Sequence, residues 1–146
     1  TAMRITIVLA MLLEAYYSLN CDGSWTTIGE RCYKLQSSKS SWNAHYINCF
    51  FAGGKLASIE SAQVNSEVKT LCHGSDAFIG GAAFGPFGPA WVWADGRPFA
   101  YTNWKDASYA VPVQEKPCIR IDSDGFWHPE CCGVEASLYA VCLRSF

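Results

Sequence analysis

The chain has 146 residues, half of them hydrophobic, and a formal net charge of −2. This length accommodates one ordinary domain with a packed core and is short for two. Neither charge sign forms a long run, which excludes a typical nucleic-acid-binding surface. Eight cysteines in so short a chain indicate an oxidising compartment, where disulfides persist.

The first 20 residues have the layout of a secretory signal peptide. Met3 and Arg4 supply a start and a positive charge, and residues 5–13 are apolar at all but one position. Such a stretch is too short to span a bilayer, which needs about 20 apolar residues. We therefore predict a signal peptide over residues 1–20, with the two residues before Met3 as an upstream translation remnant. The alternative is a buried first helix, and no membrane span is expected elsewhere.

The predicted mature domain covers residues 21–146 and opens with a β-hairpin. Two strand-like segments, Trp25–Gly29 and Arg31–Leu35, flank a turn. Cys21 and Cys32 lie at the ends of this hairpin, where a disulfide could close it.

Two helices are predicted next. Ser40 or Ser41 caps the first, which ends at Gly53-Gly54 and carries Trp42, Ala44, His45, Ile47, Cys49 and Phe50. After a short strand at Leu56–Ile59, Ser61 caps a second helix from Ala62 to about Cys72.

The stretch from Phe78 to Trp104 holds three of the six tryptophans. Trp91 and Trp93 alternate around Val92, which predicts a short strand with both rings on one face. Bulky aromatic residues at strand spacing favour a buried core over a stacking surface for a ligand.

Beyond Trp104 the chain changes character. Lys105–Lys116 is polar and irregular and reads as a long loop, and three strand signals follow at Cys118–Ile121, Gly125–His128 and Leu138–Leu143. This order of elements predicts an α+β fold with small, mostly antiparallel sheets: strands come first, then two helices, a long loop and further strands.

With its predicted elements in this order, the sequence resembles the C-type-lectin-like domain family, in its long form with an N-terminal hairpin. The resemblance extends over residues 21–146 and rests on nine motifs in the right order rather than on one decisive motif. The matching pieces are the Cys21/Cys32 hairpin, Trp42-x-Ala44 with Cys49, Gly53–Ile59, Phe78-Ile79-Gly80, Trp91–Gly96, Asn103-Trp104, Cys118, Gly125-Phe126-Trp127, and Cys132 with Cys142.

Eight cysteines can pair in 105 ways, and the resemblance selects three pairs: Cys21–Cys32, Cys49–Cys142 and Cys118–Cys132. Cys72 and Cys131 are left over, and a fourth bridge between them is the simplest expectation. Two alternatives stay open: Cys131 takes the place of Cys132, or Cys72 forms an intermolecular bridge. The Cys-x2-Cys spacing that is typical of zinc sites does not occur in the sequence, so a zinc site is not expected.

Sugar-binding members of the family hold calcium with a Glu-Pro-Asn or Gln-Pro-Asp triplet after the Asn-Trp pair, with a later acid and with a Trp-Asn-Asp triplet. Calcium requires six to eight oxygen ligands. Here the place of the first triplet is taken by Ser108-Tyr109-Ala110, or by Val111-Pro112-Val113 if the loop is gapped. Lys116 takes the place of the acid, or Glu115 if the loop is shifted by one residue, and Trp127-His128-Pro129 takes that of the last triplet. We therefore expect no cofactor: calcium stays conceivable, but most of its ligands are absent.

The loop could still bind a ligand through its polar side chains, or could merely cover the core. The candidate ligand-binding residues are Ser108, Tyr109, Gln114, Glu115, His128 and Glu130. His128 near Glu130 is an acid–base pair by residue type, but no nucleophile or metal motif accompanies it, so we predict no enzyme.

The resemblance implies a secreted protein for extracellular recognition of a glycan or a protein, with a role in defence or host interaction. An oligomer stays open. The alternative function is a protein- or ice-binding module without lectin activity, since a fold does not fix function.

Overall fold

The computed structural model describes residues 4–11, 21–86 and 88–146. Residues 4–11 form helix α1, and their side chains are exposed. The other residues of the predicted signal peptide, 1–3 and 12–20, lie outside the described residues, so the signal peptide and its boundary stay a prediction. Within the described ranges, no helix is both long and apolar enough to cross a membrane.

The domain has the α+β architecture expected from the sequence. Helices α2 (Trp42–Phe51) and α3 (Ala62–Leu71) come early, and one 3-10 turn, η1 (Ala107–Ala110), lies in the long loop. The strands are β1 (Thr26–Ile28), β2 (Arg31–Ser40), β3 (Lys55–Leu56), β4 (Ala77–Phe84), β5 (Ala90–Trp93), β6 (Cys118–Ile121), β7 (Trp127–Glu130) and β8 (Leu138–Ser145).

Serine side chains cap both helices of the domain. The Ser41 hydroxyl accepts a hydrogen bond from the amide of Ala44, and the Ser61 hydroxyl accepts one from the amide of Val64, each at 3.1 Å. These bonds satisfy amides that have no partner inside the helix. The cap of α2 is therefore Ser41 rather than Ser40.

The strands join in one sheet rather than in several small ones. Its order is β1-β2-β8-β4-β6-β7, with β3 also paired to β8 and β5 to β4. All pairs are antiparallel except β4 with β8, which is parallel. The strand predicted at Leu56–Ile59 is shorter than expected, because Ala57 leaves the ladder to bond separately to Val141 and Gly80.

The core is built around Trp127, which is fully buried. Its ring lies between 5.4 and 6.1 Å, centroid to centroid, from the rings of Trp93, Phe99, Tyr101 and Trp104. Trp91 and Trp93 are only 7% and 2% exposed, as their strand spacing predicts. The tryptophans therefore act mainly as core, with Trp104 partly buried at its edge.

Hydrogen bonds fix the orientation of this central ring. Trp127 Nε1 donates to Oδ1 of the buried Asn65 at 2.8 Å. The amide groups of Asn65 and Asn103 both donate to the Gly125 carbonyl, at 2.9 and 2.7 Å. Together they tie α3, the turn before β7 and the start of the long loop to one point.

Three disulfides are present, with the pairing that the family resemblance implies: Cys21–Cys32, Cys49–Cys142 and Cys118–Cys132. Cys49–Cys142 joins α2 to β8 across a sequence separation of 93 residues. In the chain-entropy model, closing a loop of this length stabilises the fold by about 4–5 kcal/mol.

The expected Cys72–Cys131 bridge is wrong in this structure, where both thiols are free. Cys72 ends α3 and precedes β4, whose first residue pairs with Ile121. Cys131 instead follows Glu130, which pairs with Cys118 at the other end of β6. A four-residue strand is about 10 Å long, so the thiols belong to opposite ends of β6, beyond the reach of a disulfide.

Replacing Trp93 by Ala should lower the free energy of unfolding by about 3–5 kcal/mol, because it leaves a large cavity beside Trp127 and Phe99. Val92→Ala is the matched control: Val92 is the next residue on β5 but points outward and is 39% exposed. Denaturant unfolding measures both. A Trp93→Ala variant as stable as Val92→Ala would show that the ring does not support the core.

The two free thiols should differ strongly in reactivity. Burial, and secondarily the charge of Asp76, raises the pKa of Cys72 to about 12, so almost no thiolate is available. Iodoacetamide should therefore modify Cys131 in the native, unreduced protein and Cys72 only after denaturation, as read by peptide mass spectrometry. A linked Cys72–Cys131 peptide, or two cysteines that resist alkylation in denaturant, would contradict the pairing.

Candidate functional site

The long loop, Lys105–Lys116, is held against the core by hydrogen bonds to its backbone. Trp91 Nε1 donates to the Tyr109 carbonyl at 2.9 Å. The amide of Lys105 donates to the Trp127 carbonyl at 3.0 Å. These contacts place η1 beside β5 without using the polar side chains of the loop.

Ser108 and Asp106 form the start of η1. Asp106 Oδ1 accepts hydrogen bonds from the Ser108 amide at 2.8 Å and from its hydroxyl at 2.7 Å. The bond from the Ser108 hydroxyl, followed by that from its amide, holds the pKa of Asp106 below its usual range. Asp106 therefore caps the turn, and the Ser108 hydroxyl is already engaged in a hydrogen bond.

Tyr109 and His128 are the two predicted site residues that the fold brings together, with ring centroids 5.8 Å apart. His128 Nε2 donates to Asp122 Oδ2 at 2.7 Å. Burial raises the pKa of Asp122, but bonds from His128 and from the amides of Phe126 and Asp124 outweigh it, so this pKa is lowered. The histidine is thus paired with Asp122, which also closes the turn before β7, and not with Glu130.

Glu130 lies on the same strand as His128 but is engaged elsewhere. Its Oε2 accepts from Arg120 Nε at 3.2 Å, and Arg120 also reaches Asp76 at 2.7 Å. Gln114 and Glu115 are exposed on the turn that ends the long loop, and the Glu115 carbonyl lies 3.5 Å from the Cys131 sulfur. The six predicted residues therefore do not converge on one polar site.

These carboxylates do not fit a calcium site. Asp106 bonds to Ser108, Asp122 to His128 and Glu130 to Arg120. Among the residues described, no three His, Cys, Asp or Glu side chains cluster so as to hold a metal ion. Because calcium needs several free oxygen ligands, the donor set at the family's site is inadequate.

A different feature stands out at the same end of the domain. A cleft of about 380 Å³, here called the loop cleft, opens between β5 and the long loop. Its lining includes Ala90, Trp91, Thr102, Trp104, Val111 and Pro112. All its lining residues are uncharged, which makes it unlike a metal site.

The chain segments that supply most of the loop cleft are uncharged as well. No charged residue occurs between Asp76 and Asp95, or from residue 107 to residue 114. Exposed apolar side chains on these segments are Phe84, Val92, Val111 and Val113, from 39% to 73% exposed. The charge-free run was visible in the sequence and could have indicated this surface; the search for polar ligands missed it.

A larger cleft of about 550 Å³ lies near the C-terminus, lined by Phe50, Lys55, Arg97 and Arg144 among others. Arg97 already pairs with Glu60 and Asp95, and Arg144 with Asp22. The charges of this cleft are therefore largely satisfied within the chain.

Comparison with known proteins agrees with this architecture. The family model described as "Lectin C-type domain" matches residues 38–144. The chain is 38% identical over 85 residues to the type-2 ice-structuring protein of Hemitripterus americanus, which covers 58% of this chain and 51% of that protein. The chain thus spans about half the length of this relative.

Solved structures share the fold. A calcium-independent type II antifreeze protein is 28% identical with a TM-score of 0.76, over 86% of this chain and 94% of that one. The C-type carbohydrate-recognition domain of cow CD23 is 23% identical with a TM-score of 0.78, over 87% and 97% of the two chains, and shows similarity of fold alone.

Calcium should bind with a dissociation constant above about 1 mM, because the available carboxylates are engaged and extracellular sites with full ligand sets already lie near 10⁻⁴–10⁻³ M. Calorimetric titration measures the affinity, and melting curves with calcium or EDTA should coincide. A sub-millimolar constant, or a melting temperature that falls clearly in EDTA, would contradict this interpretation of the loop.

Proposed function

Because the chain belongs to the lectin C-type domain family, we propose that it is a secreted recognition protein that binds an uncharged carbohydrate or a protein surface without calcium. The observation that carries the proposal is the loop cleft. It combines the partly buried Trp104 ring and the largely buried Trp91 ring with uncharged walls, at the end of the domain where the family places its ligand. An aromatic face suits the apolar side of a sugar ring or an apolar side chain of a protein.

The chemistry of the surrounding carboxylates supports a metal-free mode. A sugar held through calcium needs a cation that presents free coordination positions. Here the nearby acids are hydrogen-bonded to partners within the chain, Asp122 to His128 and Glu130 to Arg120. Affinity would then come from the burial of apolar area and from hydrogen bonds at the rim, such as those that exposed Thr102 can make.

The extracellular location and the absence of catalysis are parts of the same proposal. Three disulfides suit an oxidising compartment. The acid–base pair of the domain, His128 with Asp122, is explained by the turn it closes. A binding role uses the loop cleft without requiring a reactive group.

Ice is a second candidate ligand, favoured by one specific feature. Val111 lines the cleft and is 71% exposed, and Val113, two residues further along the same charge-free segment, is 50% exposed. Ice carries no charge that could repay the desolvation of an ion, so a charge-free surface suits it. Two similar proteins are named as ice-structuring or antifreeze proteins, one of them calcium-independent.

A glycan array, read in calcium and again in EDTA, tests the main proposal. Binding should persist in EDTA and be lost in Val111→Asp, which places a charge at the rim of the cleft. Val134→Asp is the control, since Val134 is 90% exposed in the loop before β8 and does not line the cleft. Binding that requires calcium, or that survives Val111→Asp, would contradict the proposal.

The same variants distinguish the ice candidate. Freezing-point hysteresis and faceted ice crystals should appear with the wild type and Val134→Asp but not with Val111→Asp. Absence of hysteresis in the wild type would reject ice as the ligand. The main proposal would then be decided by the glycan array alone.

A further inference from the structure

Helix α2 has an apolar face turned to solvent. Four large side chains along it are exposed: Tyr46 by 46%, Ile47 by 53%, Phe50 by 69% and Phe51 by 80%. We call these four residues the α2 face. The whole helix, from Trp42 to Phe51, contains no charged residue.

Helix α3 offers an internal comparison, since it has the same length and is equally exposed on one side. Its solvent side carries Gln63, Ser66, Glu67 and Lys69. That is the usual pattern of a surface helix, whereas a helix that is apolar on both sides is normally covered on both. The α2 face therefore differs from an ordinary surface within the same domain.

The opposite side of α2 is already committed to the core. Cys49 is bonded to Cys142, Trp42 Nε1 donates to the Ile79 carbonyl at 2.9 Å, and the His45 ring bonds to the Leu138 carbonyl at 2.7 Å. The helix cannot rotate to bury its exposed side without breaking these contacts. The apolar face is consequently fixed and outward-facing before any partner arrives.

The side chains of the α2 face are arranged for packing against another helix. Tyr46 with Phe50, and Ile47 with Phe51, form two parallel rows of residues four apart. Rows of this spacing interdigitate with identical rows when two helices cross at about −50°, the commonest packing class in globular proteins. A two-fold axis through such a contact brings the same face of both copies together.

We propose that the α2 face is the interface of a homodimer, in which a second copy of this chain packs its own α2 across a two-fold axis. This contact lies on a different surface from the loop cleft and does not depend on the proposed ligand. A face without charges meets itself without like-charge repulsion, which favours self-association. Lys55, Arg97 and Arg144 line the cleft beside Phe50, but Arg97 is paired with Asp95 and Arg144 with Asp22. An anionic lipid surface would instead call for free cationic side chains among the apolar ones, and α2 itself has no cationic residue.

The available area is sufficient for a dimer. A fully buried side chain of this size removes about 200 Å² from water, so the four exposed fractions leave roughly 500 Å² uncovered in each copy. Two copies bring together roughly 1,000 Å² before any flanking residue is added, which reaches the minimum of about 1,000 Å² for a specific interface.

Sedimentation velocity over a concentration series tests the proposal. The protein is alkylated first with iodoacetamide, so that Cys131 cannot form a covalent dimer. The wild type should sediment as a dimer, and the double variant Phe50→Glu/Phe51→Glu should be monomeric, with a dissociation constant raised roughly 100-fold or more by opposed charges. Val134→Glu, which charges an exposed apolar site outside the face, should stay dimeric.

Circular dichroism and the melting temperature establish that each variant is folded. Because the exposed phenylalanines contribute little to the core, the double variant should melt close to the wild type at protein concentrations low enough for the wild type to be monomeric. If this variant is unfolded, the single variant Phe51→Glu is used instead, because Phe51 is the most exposed residue of the α2 face. A monomeric wild type, or a dimer that persists in the charged variants, would overturn the proposal. So would wild-type binding to neutral or anionic vesicles by a monomer, which would assign the face to a membrane.

Discussion

The structure depends most on the burial of Trp127. Its ring contacts Trp93, Phe99, Tyr101 and Trp104, its Nε1 donates to Asn65, and its backbone bonds to Asn103 and Lys105 on either side of Trp104. One residue on a short strand thereby connects helix α3, strand β5 and both sides of the loop entrance. The irregular half of the domain, which has few ladder bonds of its own, is ordered by aromatic packing at this point.

This arrangement explains how the loop can keep its shape without a metal. Trp91 and Trp127 hold the loop backbone, and the side chains of Asp106, Asp122 and Glu130 bond to neighbouring residues instead of converging on a cation. What remains exposed is an uncharged cleft and its apolar rim. The proposed recognition of an uncharged ligand therefore follows from the packing that fixes the loop.

The sequence predicted what depends on local pattern. Ser61 at the start of α3, the Trp91/Trp93 alternation on β5 and the fold class all required only short-range spacing or the family resemblance. The partners of His128 and Glu130 could not be predicted from local pattern. Asp122 reaches His128 across a turn, and Arg120 reaches Glu130 across a strand pair. The Cys72–Cys131 bridge failed for a related reason: a leftover pair contains no information on which end of β6 each cysteine occupies.

The central claim is that packing around Trp127, rather than calcium, orders the ligand-binding end of the domain. Amide hydrogen exchange resolved over residues 98–116 tests it most directly, measured in calcium and in EDTA at the same pH. The account predicts equal protection in both conditions for the amide of Lys105, which bonds to Trp127. Slower exchange of this segment in calcium than in EDTA would show that a metal orders the loop and would contradict the account.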